Sequence, residues 1–269
     1  MSEERTPLFP KKKNGRLRRG VHLLPATLTS CNLGCGFYAI QATFLGGAHN
    51  FDKAAIAIGL AVLLDSLDGK LARLTGTTSE FGKQFDSLAD VISFGVAPAI
   101  LAYAWGVRSV SGGNPLVLQN FQPFGLLICF AFLACCAWRL ARFNIQGMAP
   151  DTRYFAGMPA PGAAAMVAAS VHALKVPLEG AVGSLLWLGL IAGLAALMAS
   201  TIRYYSGKDL GWTRRQPSLV VVALLLLGWS VVEYSEPVLL IIASSYTVSG
   251  LALALFRGLR HRMAAQPTS

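Results

Sequence analysis

The chain is predicted to be an all-α polytopic membrane protein of about eight transmembrane helices, a six-helix core followed by two C-terminal helices. Three observations carry this prediction. The 269 residues are 54% apolar and only 13% charged, with a mean hydropathy of +0.52, whereas a soluble domain carries about 25% charged residues. The apolar residues fall in runs of roughly the length a helix needs to cross a hydrocarbon core. The basic residues gather in alternate connections between those runs, which is how orientation is encoded in polytopic proteins.

The runs cover approximately residues 23–46, 52–74, 82–107, 121–145, 157–175, 181–202, 217–234 and 236–257. Turn-forming residues separate them: Gly46-Gly47 with His49-Asn50, Gly76-Thr77-Thr78-Ser79, Ser111-Gly112-Gly113-Asn114-Pro115, and Met148-Ala149-Pro150-Asp151. The fifth run opens Gly157-Met158-Pro159-Ala160-Pro161-Gly162, so its first turn is expected to be irregular or kinked. Glu233 to Pro237 leaves room only for a tight turn between the last two.

Residues 1–20 form a polar arm carrying Arg5, Lys11, Lys12, Lys13, Arg16, Arg18 and Arg19. The apolar stretch behind it is of spanning length, so the arm reads as a juxtamembrane segment drawn to anionic headgroups rather than as a signal peptide. With the N-terminus in the cytoplasm, 20 of the 23 Lys and Arg residues fall on the cytoplasmic side. Only Lys53, Arg108 and Lys175 fall outside. Both termini are then cytoplasmic, and the net charge of +10 is explained by orientation, without a nucleic-acid partner. Cys31, Cys35, Cys129, Cys135 and Cys136 all sit inside apolar runs as small packing residues. Neither they nor His22, His49, His172 and His261 have a metal-type spacing.

The chemistry concentrates in DSLDGKLARLTGTTSEFGKQFDSLAD, residues 65–90. Asp65 and Asp68 are three apart and Asp86 and Asp90 four apart, so each pair shares a helix face. The connection Leu74–Phe81 is short, which makes the two helices antiparallel neighbours and lets the acid pairs face each other. An oxygen-only donor set suits Mg²⁺ or Mn²⁺ rather than zinc. Four carboxylates suffice for two such ions, which can neutralise a diphosphate and support in-line displacement at phosphorus. Gly69, Ala72 and Gly82 leave bare helix surface beside the acids, and Arg73 adds a cation for phosphate. Helix packing by small residues and simple Asp–Arg pairing would account for any one of these residues, but not for all eight at this spacing. A cation or proton pathway is the competing reading, and it predicts acids spread through the membrane's depth.

The same stretch resembles the signature of the CDP-alcohol phosphatidyltransferase family, D-x2-D-G-x2-A-R-x8-G-x3-D-x3-D. Asp65, Asp68, Gly69, Ala72, Arg73, Gly82, Asp86 and Asp90 occupy its eight positions with every spacing kept. The resemblance covers about residues 20–205. It implies a dimeric helical enzyme, with its site at the cytoplasmic membrane interface, that moves a phosphatidyl or similar group from a CDP-linked donor to an alcohol and releases CMP. It makes Asp65, Asp68, Asp86 and Asp90 metal ligands, with Asp90 also the general base. It assigns Gly69, Ala72, Arg73 and Gly82 to the CDP moiety. Residues 1–20 are then the arm, 21–205 a six-span catalytic core, and 206–269 two additional spans and a cytoplasmic tail.

Three further segments resemble the serine-using branch of that family. They are Pro25–Leu33 with Gly36-Phe37, Phe85–Pro98, and Arg139–Asn144 with Phe155–Pro161. This branch implies CDP-diacylglycerol and L-serine as substrates in the inner or cytoplasmic membrane. Arg139 and Arg142, three apart on one helix, could hold a phosphate or the carboxylate of serine. The plainer alternative is that they only snorkel to headgroups. Thr29 and Asn32 share a face of the first span and are expected to line the nucleotide pocket. Glycerol 3-phosphate and an inositol phosphate are the rival acceptors. The last two spans lie outside the resemblance and are given no chemistry by the sequence.

Overall fold

A computed structural model describes residues 15–75, 79–108, 115–146, 154–205, 230 and 233–264. Side chains of residues 15–25, 72–75, 115–120, 146, 154–156, 203, 205, 251 and 253–264 are not described. The basic arm before residue 15, Arg153, most of the seventh apolar run, and the Ala72 and Arg73 side chains thus lie outside the described structure.

The elements are α1 (Gly15–Leu45), α2 (Ala48–Thr75), α3 (Glu80–Asp90), a π-helical turn (Val91–Val96), α4 (Ala97–Gly106), α5 (Pro115–Gln146), β1 (Tyr154–Ala156), α6 (Ala160–Leu174), α7 (Ala181–Ala199), β2 (Arg203–Tyr205) and α8 (Ser235–Ala264). Helices dominate, as the composition predicts. Among the described residues, three helical stretches are long and apolar enough to cross a membrane: Glu80–Gly106, Phe121–Ile145 and Ala181–Ala199. Ala160–Leu174 is a shorter apolar helix.

Small residues set the packing. α1 and α2 form an antiparallel hairpin whose turn uses Gly46 and Gly47 at φ +68° and +82°, a region that costs glycine nothing. Behind it, Ala39, Ala42, Ala54, Ala55, Ala57 and Ala61 are buried, so the backbones approach closely without large side chains between them. α4 meets α7 through Trp105 and Trp187, whose rings lie edge to face at 4.9 Å. The Trp187 Nε1–H donates to the Ala102 carbonyl at 3.0 Å.

Two departures from regular helix arise where the sequence predicts one and where it does not. The expected irregularity before α6 is present: Gly157 has φ +80° and helix begins only at Ala160. It belongs to a feature the all-α expectation lacks, a short antiparallel ribbon of β1 and β2 pairing Phe155 with Tyr204. Gly157 N–H donates to Ile202 O at 2.8 Å and Met158 N–H to Leu197 O at 3.0 Å, which ties this segment to the end of α7. The unexpected departure is the π turn, which interrupts the third apolar run directly after Asp90.

At the end of the bundle opposite the four aspartates, a polar cluster joins α2, α6 and α8. His172 is buried, and its ring nitrogens meet Asp52 Oδ1 at 2.5 Å and Ser235 Oγ at 2.9 Å. Lys175 bridges Asp52 at 3.1 Å and Glu236 at 3.2 Å. Among the described residues, this cluster is a polar tie between α8 and the helices before it. His172→Ala should destabilise the protein by about 2 kcal/mol, because Asp52 and Ser235 both lose a partner in a semi-buried site. Denaturation in mixed micelles measures it, and an unchanged midpoint would mean that apolar packing alone docks α8.

Candidate active site

α2 and α3 deliver the four acids. α2 runs to Thr75, carrying Asp65 and Asp68 near its end. α3 starts from Ser79, whose hydroxyl accepts from Gly82 N–H at 3.0 Å, and carries Asp86 and Asp90. Carboxylate oxygens of Asp65, Asp86 and Asp90 lie within 4.8 Å of one another. The expectation that the two acid pairs face each other is thus met by three of the four. Asp68 stands beside this cluster, 6% exposed, and accepts a hydrogen bond from the Thr29 hydroxyl.

α1 forms the second wall. Asn32 is buried, and its Nδ2 donates to Asp90 Oδ1 at 3.3 Å. Ser93, in the π turn, donates to the backbone carbonyl of Asn32 at 3.0 Å. Thr29 and Asn32, expected to line a nucleotide pocket, are therefore seen holding two of the acids. The close approach depends on glycine. A Cβ at Gly36 would stand 2.5 Å from Ser93 Oγ and 2.9 Å from Ser93 Cα. On the turn's other side, a Cβ at Gly95 would meet Leu133 of α5 at 2.9 Å. A π turn adds a residue to the helical circuit and often marks a functional site. Here it occupies the space these glycines leave, directly after Asp90. Gly36→Val should therefore cost about 1–3 kcal/mol from overpacking and lower turnover together with stability. Activity and unfolding measured on the same preparation check this.

α5 supplies the basic side. Arg139 is 8% exposed, and its Nε is buried without a hydrogen-bond partner. It lies within electrostatic range of Asp65 and Asp90, but among the described residues no ion pair joins it to either. Arg142 is used differently: it donates to the carbonyls of Ala199 at 3.4 Å and Ser200 at 3.2 Å, satisfying the C-terminal end of α7. The arginine pair that looks equivalent in sequence is thus split between a buried guanidinium in electrostatic range of two of the acids and a helix cap. Asn144 Nδ2 donates to Ser87 Oγ at 2.8 Å and braces α5 against α3.

Gly69 and Gly82 lie on the same two helices as the acids. The donor chemistry of the site fits a hard divalent cation. Three carboxylates converge in a half-buried to buried setting with no cation bonded to any of them among the described residues, an arrangement whose mutual repulsion a positive ion would relieve. Sequence reasoning missed Ser93 as a support for Asn32, although Ser93 lies within the segment Phe85–Pro98. It placed a span at 236–257, where α8 lies, but gave that span no chemistry.

Residues 22–202 match the family model described as CDP-alcohol phosphatidyltransferase. The chain belongs to that family and is a membrane-integral phosphatidyltransferase. It is 36% identical over 212 residues to the CDP-diacylglycerol--serine O-phosphatidyltransferase of Helicobacter pylori strain J99, covering 77% of this chain and 81% of that one. It is 35% identical over 183 residues to the archaetidylserine synthase of Methanothermobacter thermautotrophicus, covering 67% and 69%. The Saccharomyces cerevisiae CDP-diacylglycerol--serine O-phosphatidyltransferase is 32% identical over 170 residues, covering 59% and 56%. α8 lies outside the family-matched segment.

Proposed function

We propose that this chain transfers the phosphatidyl group of CDP-diacylglycerol to the hydroxyl of L-serine, giving phosphatidylserine and CMP. The observation that carries the reading is a cluster of three carboxylates in electrostatic reach of a buried arginine to which, among the described residues, no carboxylate is bonded. The relatives' names support serine as the acceptor. Asp65, Asp68, Asp86 and Asp90 would hold two Mg²⁺ or Mn²⁺ ions, which supply charge neutralisation for a diphosphate. Gly69, Ala72, Arg73 and Gly82, with Thr29 and Asn32 behind the acids, would receive the CDP moiety.

In this reading Asp90 takes the proton of the serine hydroxyl, and Asn32 and Ser93 hold Asp90 in place for it. The serine oxygen forms a bond to the phosphorus bearing diacylglycerol. The bond from that phosphorus to the CMP oxygen breaks, and CMP leaves with the electron pair. Arg139 holds the serine carboxylate, with Arg142 fixing the neighbouring end of α7. The acyl chains stay in the bilayer, so the site opens sideways between helices. The charge bias of the sequence supports eight spans in the inner or cytoplasmic membrane, a six-span core over residues 21–205, a cytoplasmic site and cytoplasmic termini. The family supports a homodimer.

An acceptor panel tests the reading. Purified protein with labelled CDP-diacylglycerol should release CMP with serine, and far less with glycerol 3-phosphate or inositol phosphate. Preference for a phosphorylated acceptor would overturn serine as the substrate. Solute flux into proteoliposomes without CMP release would favour the transporter. Arg139→Gln should raise the KM for serine at least tenfold, since a charge-assisted hydrogen bond contributes about 1.5–3 kcal/mol.

A further inference from the structure

α8 packs against α6 and β2 although it lies beyond the family-matched residues 22–202. Two glycines let it dock. A Cβ at Gly162 of α6 would stand 3.0 Å from the Tyr246 ring, and a Cβ at Gly250 of α8 would stand 2.1 Å from the Tyr204 ring. The rings of Tyr204 and Tyr246 are 5.6 Å apart, and the Tyr204 hydroxyl donates to the Thr247 carbonyl at 3.4 Å. Tyr246 is thereby held between α6 and β2, partly buried against the core. A Cβ at Gly157, just before α6, would stand 3.1 Å from Arg142 Nη2, so the start of α6 that Tyr246 packs against also borders α5 one turn from Arg139, with which Tyr246 interacts electrostatically. Arg139 is the residue whose buried Nε has no partner. A buried guanidinium nitrogen without an acceptor leaves Arg139 able to take an anionic ligand, and a phenol hydroxyl is a neutral donor suited to the same anion.

We propose that Tyr246 is a specificity-determining residue, donating its hydroxyl to the carboxylate of the acceptor that Arg139 holds. This rests on the serine-transferase reading above, and it gives the C-terminal helix a share in acceptor choice. A carboxylate takes both donors, whereas an acceptor without one leaves Arg139 buried and unpaired. Such unpaired burial is how polar sites reject analogues.

The test compares wild type, Tyr246→Phe and Arg139→Gln with two acceptors, L-serine and ethanolamine, at saturating CDP-diacylglycerol. Tyr246→Phe keeps the ring and its packing. It should raise the KM for serine about tenfold, equivalent to ~1.4 kcal/mol. Its kcat and its KM for CDP-diacylglycerol should stay within about threefold of wild type, the range left by neutral contacts. Its serine-to-ethanolamine preference should fall by the same factor of ten. An unchanged serine KM, or an equal loss with both acceptors, would overturn the proposal and leave Tyr246 as packing. If Arg139→Gln raises the serine KM and Tyr246→Phe does not, the inference about α8 fails and the acceptor site stands. If neither variant changes it, the acceptor assignment itself fails.

Discussion

Asp90→Asn should lower kcat for phosphatidyl transfer by two to four orders of magnitude, the usual contribution of a positioned general base. The substitution is nearly isosteric and keeps an oxygen that Asn32 Nδ2, at 3.3 Å, can still reach. The fold around it should therefore survive: Ser93 still braces Asn32, and the π turn still fits between Gly36 and Gly95. What is lost is the ability to take a proton from the acceptor hydroxyl. The KM for CDP-diacylglycerol should move much less than kcat, since the other three acids remain. Wild-type turnover in Asp90→Asn would remove the base assignment.

Chelation is expected to have a comparable effect. Excess EDTA should abolish CMP release, and Mg²⁺ or Mn²⁺ should restore it. A second readout does not depend on activity. Three carboxylates within 4.8 Å repel one another, so a cation bound among them favours the folded state. At a hundred times its dissociation constant, such an ion stabilises by about 2.7 kcal/mol. The thermal midpoint in micelles should therefore rise with added Mg²⁺, and Asp65→Asn combined with Asp86→Asn should remove the rise. Full activity in chelator, or a midpoint indifferent to the ion in wild type, would contradict a metal role.

The parts of this protein legible in its sequence are those written locally. Each described helix overlaps an apolar run, because hydrophobic length and helix coincide in a membrane protein. The spacing of Asp65, Asp68, Asp86 and Asp90 is a property of two adjacent helices and one short connection, so their meeting could be read in advance. The π turn was not legible, since Val91–Val96 runs without a break into the apolar α4. It packs where glycines on α1 and in the turn itself leave room. The different fates of Arg139 and Arg142 depend on where α7 ends, and that is set by tertiary packing. The same holds for the ties of His172 to Asp52 and Ser235, and for Tyr246 beside Arg139. Each joins residues far apart in sequence and carries no periodic signal.

The central claim is that serine displaces CMP at the phosphorus bearing diacylglycerol, in the site built on Asp65, Asp86 and Asp90. ³¹P NMR of the purified protein with CDP-diacylglycerol, L-serine and Mg²⁺ in mixed micelles follows that bond directly. The diphosphate signals should give way to equal amounts of phosphatidylserine phosphodiester and CMP, and should persist with Asp90→Asn. Phosphatidic acid and CMP in place of phosphatidylserine, or diphosphate signals unchanged in the wild-type protein, would contradict the account.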